Sequence, residues 1–123
     1  MRRVVVTGMG VISPVGNDLE SFWNNLTEGK NGVGMITRFD TTEQKVKVAA
    51  EVKDFEPTKY IEKSQVRKTD LFAQYALAAA VQAMEDAGLK SGENIDAERL
   101  GVYVGSGTGG INTITEQCNK LEI

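Results

Sequence analysis

The sequence predicts an α/β fold that forms part of a larger domain. A β-branched run at residues 3–7 ends in glycine, which is typical of a strand buried on both faces of a parallel or mixed sheet. Strand and helix patterns then alternate along the chain, which indicates the α/β class. The helix predicted at residues 71–87 is apolar nearly all round and needs packing layers on several sides. Because the chain supplies too few elements to cover that helix, we expect an incomplete domain.

The first half of the chain predicts one helix and one further strand. Asn17 or Asp18 can cap a helix that Gly29 ends. Its apolar residues recur at i, i+3, i+4 and i+7, namely Leu19, Phe22, Trp23 and Leu26. Residues 30–44 are rich in glycine and polar side chains and predict a loop. Alternating apolar and polar residues at 46–52 predict a short, half-exposed strand.

The middle of the chain predicts short helical turns and then the long helix. Pro57 suits the first turn of a helix, so residues 57–68 predict one or two helical turns. Thr69 or Asp70 can cap the long helix. The strongly polar members of that helix are few, namely Gln74, Gln82, Glu85 and Asp86.

Gly88 is predicted to end the long helix, and a loop follows at residues 89–98. Residues 100–104 then predict a third strand. A glycine-rich turn at residues 105–110 leads into a polar helix that begins near residue 111.

Composition excludes several functional classes. The net charge of −3 argues against a global basic field for nucleic acid, and no apolar run approaches the ~18 residues that span a bilayer. The single cysteine and the lack of an export signal indicate a cytoplasmic protein. The chain contains no histidine, so a Ser-His-Asp triad, a Cys-His pair or an HExxH zinc site cannot form within it.

Two glycine patterns allow either a nucleotide site or a packing role. Gly8-x-Gly10 follows the first predicted strand, but it lacks the third glycine of a dinucleotide motif and Pro14 delays the next helix. Residues 105–110 match GxGxxG literally and lie between a predicted strand and a predicted helix. The alternative for both is a turn whose glycines let another backbone or a ligand approach closely.

Cys118 and a group of basic residues are the other candidates. Cys118 has Glu116 nearby and no histidine to activate it, so we prefer a structural role. Between residues 58 and 69, only Glu62 opposes four basic side chains, namely Lys59, Lys63, Arg67 and Lys68. A solvated face and a docking patch for an acidic partner are both compatible with this pattern.

Six stretches have an order and spacing that are specific in combination, although each is weak alone. They lie at residues 2–16, 39–40, 52–55, 67–70, 82–89 and 101–110. Together they resemble the elongating β-ketoacyl-[acyl-carrier-protein] synthases of the thiolase superfamily, with synthase II the most similar subtype. The resemblance covers essentially the whole chain, and it places residues 1–123 in the N-terminal domain of that family as an incomplete portion.

The resemblance implies a thiolase-type fold of five αβαβα layers and a homodimer. Gly107, Thr108 and Gly109 would border the acyl-chain pocket, which argues against the nucleotide interpretation. Thr108 stands where many relatives carry a bulkier aliphatic residue, so no chain-length preference is carried over. Acyl carrier protein, an acidic helical partner, would face the basic side chains of Lys63, Arg67 and Lys68.

The reaction implied by the resemblance is fatty-acid elongation by decarboxylative Claisen condensation of an acyl-enzyme with malonyl-ACP. A cysteine holds the acyl group as a thioester, while two histidines assist decarboxylation and hold the developing enolate oxygen. None of these three residues is matched in this chain, so we expect no catalytic residue, metal or cofactor within it. A polyketide-type ketosynthase and a non-catalytic carrier-binding module are the alternatives.

Overall fold

The computed structural model describes residues 2–121. Within that range it contains four α-helices, α1 to α4, at Leu19–Thr27, Lys63–Val66, Leu71–Asp86 and Ile111–Leu121. Strands β1 (Val33–Met35) and β2 (Val48–Ala50) pair antiparallel, and 3₁₀ turns lie at Pro57–Lys59 and Ala97–Arg99. No helix in this range is long and apolar enough to cross a bilayer.

The helix boundaries follow local signals in the sequence. Asp18, rather than Asn17, caps α1, since its Oδ1 accepts a hydrogen bond of 2.7 Å from the backbone amide of Ser21. That amide and the Ser21 hydroxyl lower the pKa of the Asp18 carboxyl. Gly29 and Gly88 follow α1 and α3 with φ of 70° and 62°, the left-handed region that suits a residue after a helix. The predictions for α1, α3 and the start of α4 are therefore confirmed.

The strand predictions are largely wrong. Residues 3–7 and 100–104 have no strand pairing, and Val4 and Tyr103 are 96% and 98% exposed. A strand needs a neighbour for its N–H and C=O groups, and no segment of residues 2–121 lies beside either run to supply one. β1 lies in the region predicted to be a loop, and β2 covers only the centre of the predicted strand at 46–52.

Within residues 2–121, α3 is covered on one side only, in agreement with the expectation that the chain supplies too few elements to cover this helix. One stripe of α3 packs against loops through residues spaced by four, namely Gln74, Ala78, Gln82 and Asp86. Ala78 is fully buried, whereas Phe72 and Leu77 on the other side are 43% and 44% exposed. That other side forms an open apolar groove of about 270 Å³ with residues 102–106.

The polar members of the α3 stripe bind the backbone of the N-terminal loop, which comprises residues 8–17. Gln82 accepts from the amide of Val11 at 3.0 Å and donates to the Asn17 carbonyl at 2.8 Å. Asp86 accepts from the amide of Met9 at 2.8 Å. The amides of residues 9 and 11 are therefore already occupied, which supports the packing role of this glycine pattern.

Gly8 and Gly10 are required by the same contact. A Cβ at Gly8 would overlap the carbonyl oxygen of Ala83, and a Cβ at Gly10 would overlap that of Ala79. Only glycine lets the two backbones approach this closely. The Gly8-x-Gly10 pattern thus allows the N-terminal loop to pack closely against α3.

The chain exposes far more surface than a closed domain of its size. Its accessible area is 10037 Å², whereas a folded monomer of the same mass exposes about 6,500 Å². The excess is rich in apolar side chains at the two unpaired segments, including Val5, Val6, Val102 and Val104. Apolar patches of this extent promote association.

We expect the isolated 123-residue chain to bind a hydrophobic dye and to self-associate without a sharp thermal transition, because its apolar groove is open. Dye fluorescence, light scattering and calorimetry measure these properties. Val104→Lys, in the groove, should lower dye binding more than the control Val46→Lys, which lies outside it. A monodisperse monomer with a cooperative melt would contradict the expectation.

Candidate functional site

The functional predictions concern two groups of residues, and both groups lie next to the first turn of α3. The pocket turn comprises residues 105–110 and includes Gly107, Thr108 and Gly109. The basic cluster comprises Lys63, Arg67 and Lys68. Arg67 and Lys68 follow α2 directly, while the pocket turn directly precedes α4.

The C-terminal half of the pocket turn lies directly on the start of α3. Gly107 and Thr108 are exposed, whereas Gly109 and Gly110 are half-buried. A Cβ at Gly109 would lie 2.7 Å from the Phe72 ring, and one at Gly110 would lie 2.5 Å from Asp70 Oδ2. A Cβ at either position would require these neighbouring side chains to shift, and the φ of 62° at Gly110 itself favours glycine.

Thr108 lines an open cavity of about 210 Å³ between the pocket turn and the first turns of α3 and α4. Arg38 lies in the opposite wall and donates a hydrogen bond of 3.0 Å to the Tyr75 hydroxyl. The Tyr75 ring packs edge-on against Phe55, with ring centroids 4.8 Å apart. The side chain of Thr108 therefore borders a cavity with both polar and apolar walls.

The N-terminal end of the pocket turn borders the apolar groove instead. Gly105 and Ser106 line that groove together with three alanines of α3, namely Ala73, Ala76 and Ala80. Small side chains on α3 leave room there for an apolar occupant. The turn therefore separates an apolar space on one side from the mixed cavity at Thr108 on the other.

The basic cluster is exposed and uncompensated within the described part of the chain. Lys63, Arg67 and Lys68 form no ion pair with a carboxylate of residues 2–121, whereas Lys59 pairs with Glu56 at 3.3 Å. The prediction of one or two helical turns at 57–68 is confirmed as two separate short elements. Because the segment is not one continuous helix, Lys59, Lys63 and Arg67 do not share a helical face.

Gln74 holds the loop that carries Arg67 and Lys68. Its side chain is nearly buried, with the residue 7% exposed, and its Nε2 donates to the carbonyls of Val66 (3.0 Å) and Thr69 (2.8 Å). These two carbonyls flank the basic pair on either side. The sequence marked Gln74 as a polar exception in an apolar helix, but it did not indicate this role.

Cys118 is exposed on α4 as a free thiol. It therefore adds nothing to the packing of the described chain. Within residues 2–121, no three side chains of the metal-binding types are grouped as ligands would be.

Comparison with solved structures assigns the fold. The structure matches a β-ketoacyl synthase from Burkholderia phymatum STM815 with a TM-score of 0.79 at 29% identity, over 99% of this chain and 30% of that one. It matches a type II PKS ketosynthase, solved in complex with its acyl-carrier protein, with a TM-score of 0.73 at 29% identity, over 96% of this chain and 31% of that one. These matches confirm the α/β, thiolase-like fold class.

The family follows from the sequence comparison. The model of the β-ketoacyl synthase N-terminal domain matches residues 1–122, and the chain belongs to this family. It is 51% identical over 113 residues to the 3-oxoacyl-[acyl-carrier-protein] synthase 2 of Vibrio harveyi, covering 92% of the chain and 27% of the relative. It is 47% identical over 120 residues to that of Coxiella burnetii, covering 98% and 29%. The chain thus spans less than a third of the length of these curated relatives.

We expect Gln74→Glu to loosen the loop that carries Arg67 and Lys68, because a carboxylate cannot donate to the two carbonyls. Leaving such groups unpaired costs about 1–3 kcal/mol, so trypsin cleavage after these residues should accelerate roughly fivefold or more. Timed proteolysis followed by mass spectrometry measures the rate. Gln117→Glu, at an exposed position of α4, is the matched control. Equal rates in both variants would refute the role of Gln74.

Proposed function

We propose that the protein containing this chain is a β-ketoacyl-ACP synthase that elongates fatty acids by decarboxylative condensation of an acyl-enzyme with malonyl-ACP. The observation that carries the proposal is 51% identity over 113 residues to a 3-oxoacyl-[acyl-carrier-protein] synthase 2. Residues 1–123 are then an incomplete portion of its N-terminal domain. Because the chain spans 27% of that relative, the reaction is assigned to the longer protein.

The chain's part in this reaction is scaffold and binding surface. It contains no histidine, and its one cysteine is exposed on α4, so we assign it no catalytic residue. Gly107, Thr108 and Gly109 form a wall of the acyl pocket in this proposal. The open cavity that Thr108 lines supports the assignment, because such a cavity offers room for part of an acyl chain.

The basic cluster is proposed as the docking site for acyl carrier protein. Lys63, Arg67 and Lys68 present three positive charges that form no ion pair within residues 2–121, and these charges complement an acidic helical partner and favour encounter with it. One similar solved structure is described as a ketosynthase in complex with its acyl-carrier protein. A cytoplasmic homodimer belongs to the same proposal.

A polyketide-type ketosynthase is the second candidate. The ishigamide ketosynthase/chain length factor is 45% identical with a TM-score of 0.67, over 72% of this chain and 22% of that one. The curated relatives named synthase 2 cover more of this chain, which favours fatty-acid elongation. A product that is reduced between rounds of condensation would support fatty-acid synthesis, and an unreduced poly-β-ketone would support the second candidate.

The docking proposal is tested in a chimera in which this chain replaces the matching segment of the Vibrio harveyi synthase 2. Arg67→Glu and Lys68→Glu should each raise the KM for acyl carrier protein roughly three- to tenfold, with kcat little changed, because they reverse a charge at the rim of the interface. Added salt should shrink the effect. Lys45→Glu, exposed on the loop between β1 and β2, is the control.

Equal KM values for the three charge variants would reject the docking site, and an inactive parent chimera would reject the proposed reaction. A second assay distinguishes the alternative of a non-catalytic carrier-binding module from the proposed reaction. Charge-sensitive binding of carrier protein by the chimera, combined with a complete lack of condensation, would favour that module.

The pocket-wall proposal predicts that Thr108→Leu shifts the chimera toward shorter acyl chains, because the larger side chain fills part of the cavity. One methylene in an apolar pocket changes kcat/KM by about tenfold, so the longest accepted substrate should lose activity by roughly that factor. Competition between acyl-ACPs of different length measures this ratio. Thr58→Leu, an exposed threonine in the 3₁₀ turn, should leave it unchanged.

A further inference from the structure

Asp70 begins α3, but its side chain does not cap that helix. Its backbone has the extended conformation of an N-cap residue, with φ −74° and ψ 160°, yet the carboxylate makes no hydrogen bond to the first turn of α3. Instead, Oδ1 accepts from the Thr113 hydroxyl of α4 at 2.5 Å. Oδ2 lies close to the backbone of Gly110, 2.5 Å from the position that a Cβ there would take. The carboxylate therefore reaches across to the pocket turn and α4.

Thr113 and Gly110 belong to one hydrogen-bonded unit, which consists of the end of the pocket turn and the first turn of α4. The amide of Ile114 donates to the Gly110 carbonyl at 2.9 Å, so the last residue of the pocket turn is part of the first turn of α4. Asp70 binds this unit at Thr113 and lies close to its backbone at Gly110, and the Phe72 ring lies beside Gly109. A hydroxyl donating to a carboxylate makes a short, charge-assisted bond that is roughly twice as strong as a neutral one.

We propose that Asp70 is a positioning residue for acyl-chain selection, because its contacts with Thr113 and Gly110 set the position of Thr108 against the cavity. This inference rests on the proposed condensing function. Asp70 lies two residues after Lys68, so one short segment carries both the proposed docking site and the contact that holds the pocket wall. Neither the glycine pattern nor the predicted cap indicated this contact, which joins residues 43 positions apart.

The experiment uses the same chimera with three threonine variants of α4. Thr113→Val removes the donor at nearly constant volume, and Thr113→Ser retains it. Thr115→Val is the matched control, because the Thr115 hydroxyl donates to Ile111 within α4 and does not reach Asp70. Two readouts are taken, namely hydrogen exchange at the Ile114 amide and the ratio of long to short acyl products.

Thr113→Val should speed exchange at Ile114 and shift the product ratio, each by roughly two- to fivefold, as expected for the loss of one hydrogen bond. Thr113→Ser should restore both values, and Thr115→Val should not shift the product ratio. The KM for acyl carrier protein should stay constant in all three. Asp70→Ala should add little to Thr113→Val in a double-mutant cycle, because the two substitutions remove the same contact.

Unchanged exchange in Thr113→Val would overturn the inference, and so would faster exchange with an unchanged product ratio, since the contact would then be only structural. An equal ratio shift in Thr115→Val would also overturn it. A failure of the proposed function would give a different experimental result. In that case the parent chimera makes no condensation product, while exchange at Ile114 still reports whether Asp70 holds α4.

Discussion

The hydrogen-bonded stripe of α3 is the feature on which the rest of the described chain depends. Gln74, Gln82 and Asp86 bind loop backbone, and Ala78 between them is small enough to let the loops come close. Each bond adds only about 1 kcal/mol net, but an unpaired buried partner costs about 1–3 kcal/mol. The stripe therefore adds little net stability. Its main effect is to determine which loop segments pack on α3, because any other arrangement would leave its polar groups unpaired.

The two sides of α3 differ in how completely the described chain covers them. The polar stripe is covered by the N-terminal loop and by the loop that holds Arg67 and Lys68. The apolar side borders an open groove whose other wall comprises Val102 and residues 104–106. At its N-terminal end, α3 meets the pocket turn through Asp70 and Phe72. The residues of the proposed docking site and of the proposed pocket wall thus both lie next to the first turn of α3.

The candidate site was only partly predictable. Charge pattern, glycine spacing and family resemblance predict the basic cluster and the pocket turn, because all three are visible along the chain. The same patterns show Gln74 only as a polar exception and Asp70 only as a possible cap. The partners of Gln74 lie in the preceding segment, five and eight residues away, whereas Thr113 lies 43 residues from Asp70. No local pattern encodes which of several carbonyls or hydroxyls a buried or half-buried polar group will meet.

By itself, the sequence determined α1, α3 and the start of α4, the glycines that follow α1 and α3, and the resemblance that the family match then confirmed. These depend on capping, on helical periodicity and on ordered motifs, which are local properties. Tertiary structure alone decided the strands. Residues 3–7 have strong β-branched character yet remain unpaired, whereas the short stretch Val33–Met35 pairs with Val48–Ala50. A strand exists only where another segment completes its hydrogen bonds, and that partner is a property of the fold.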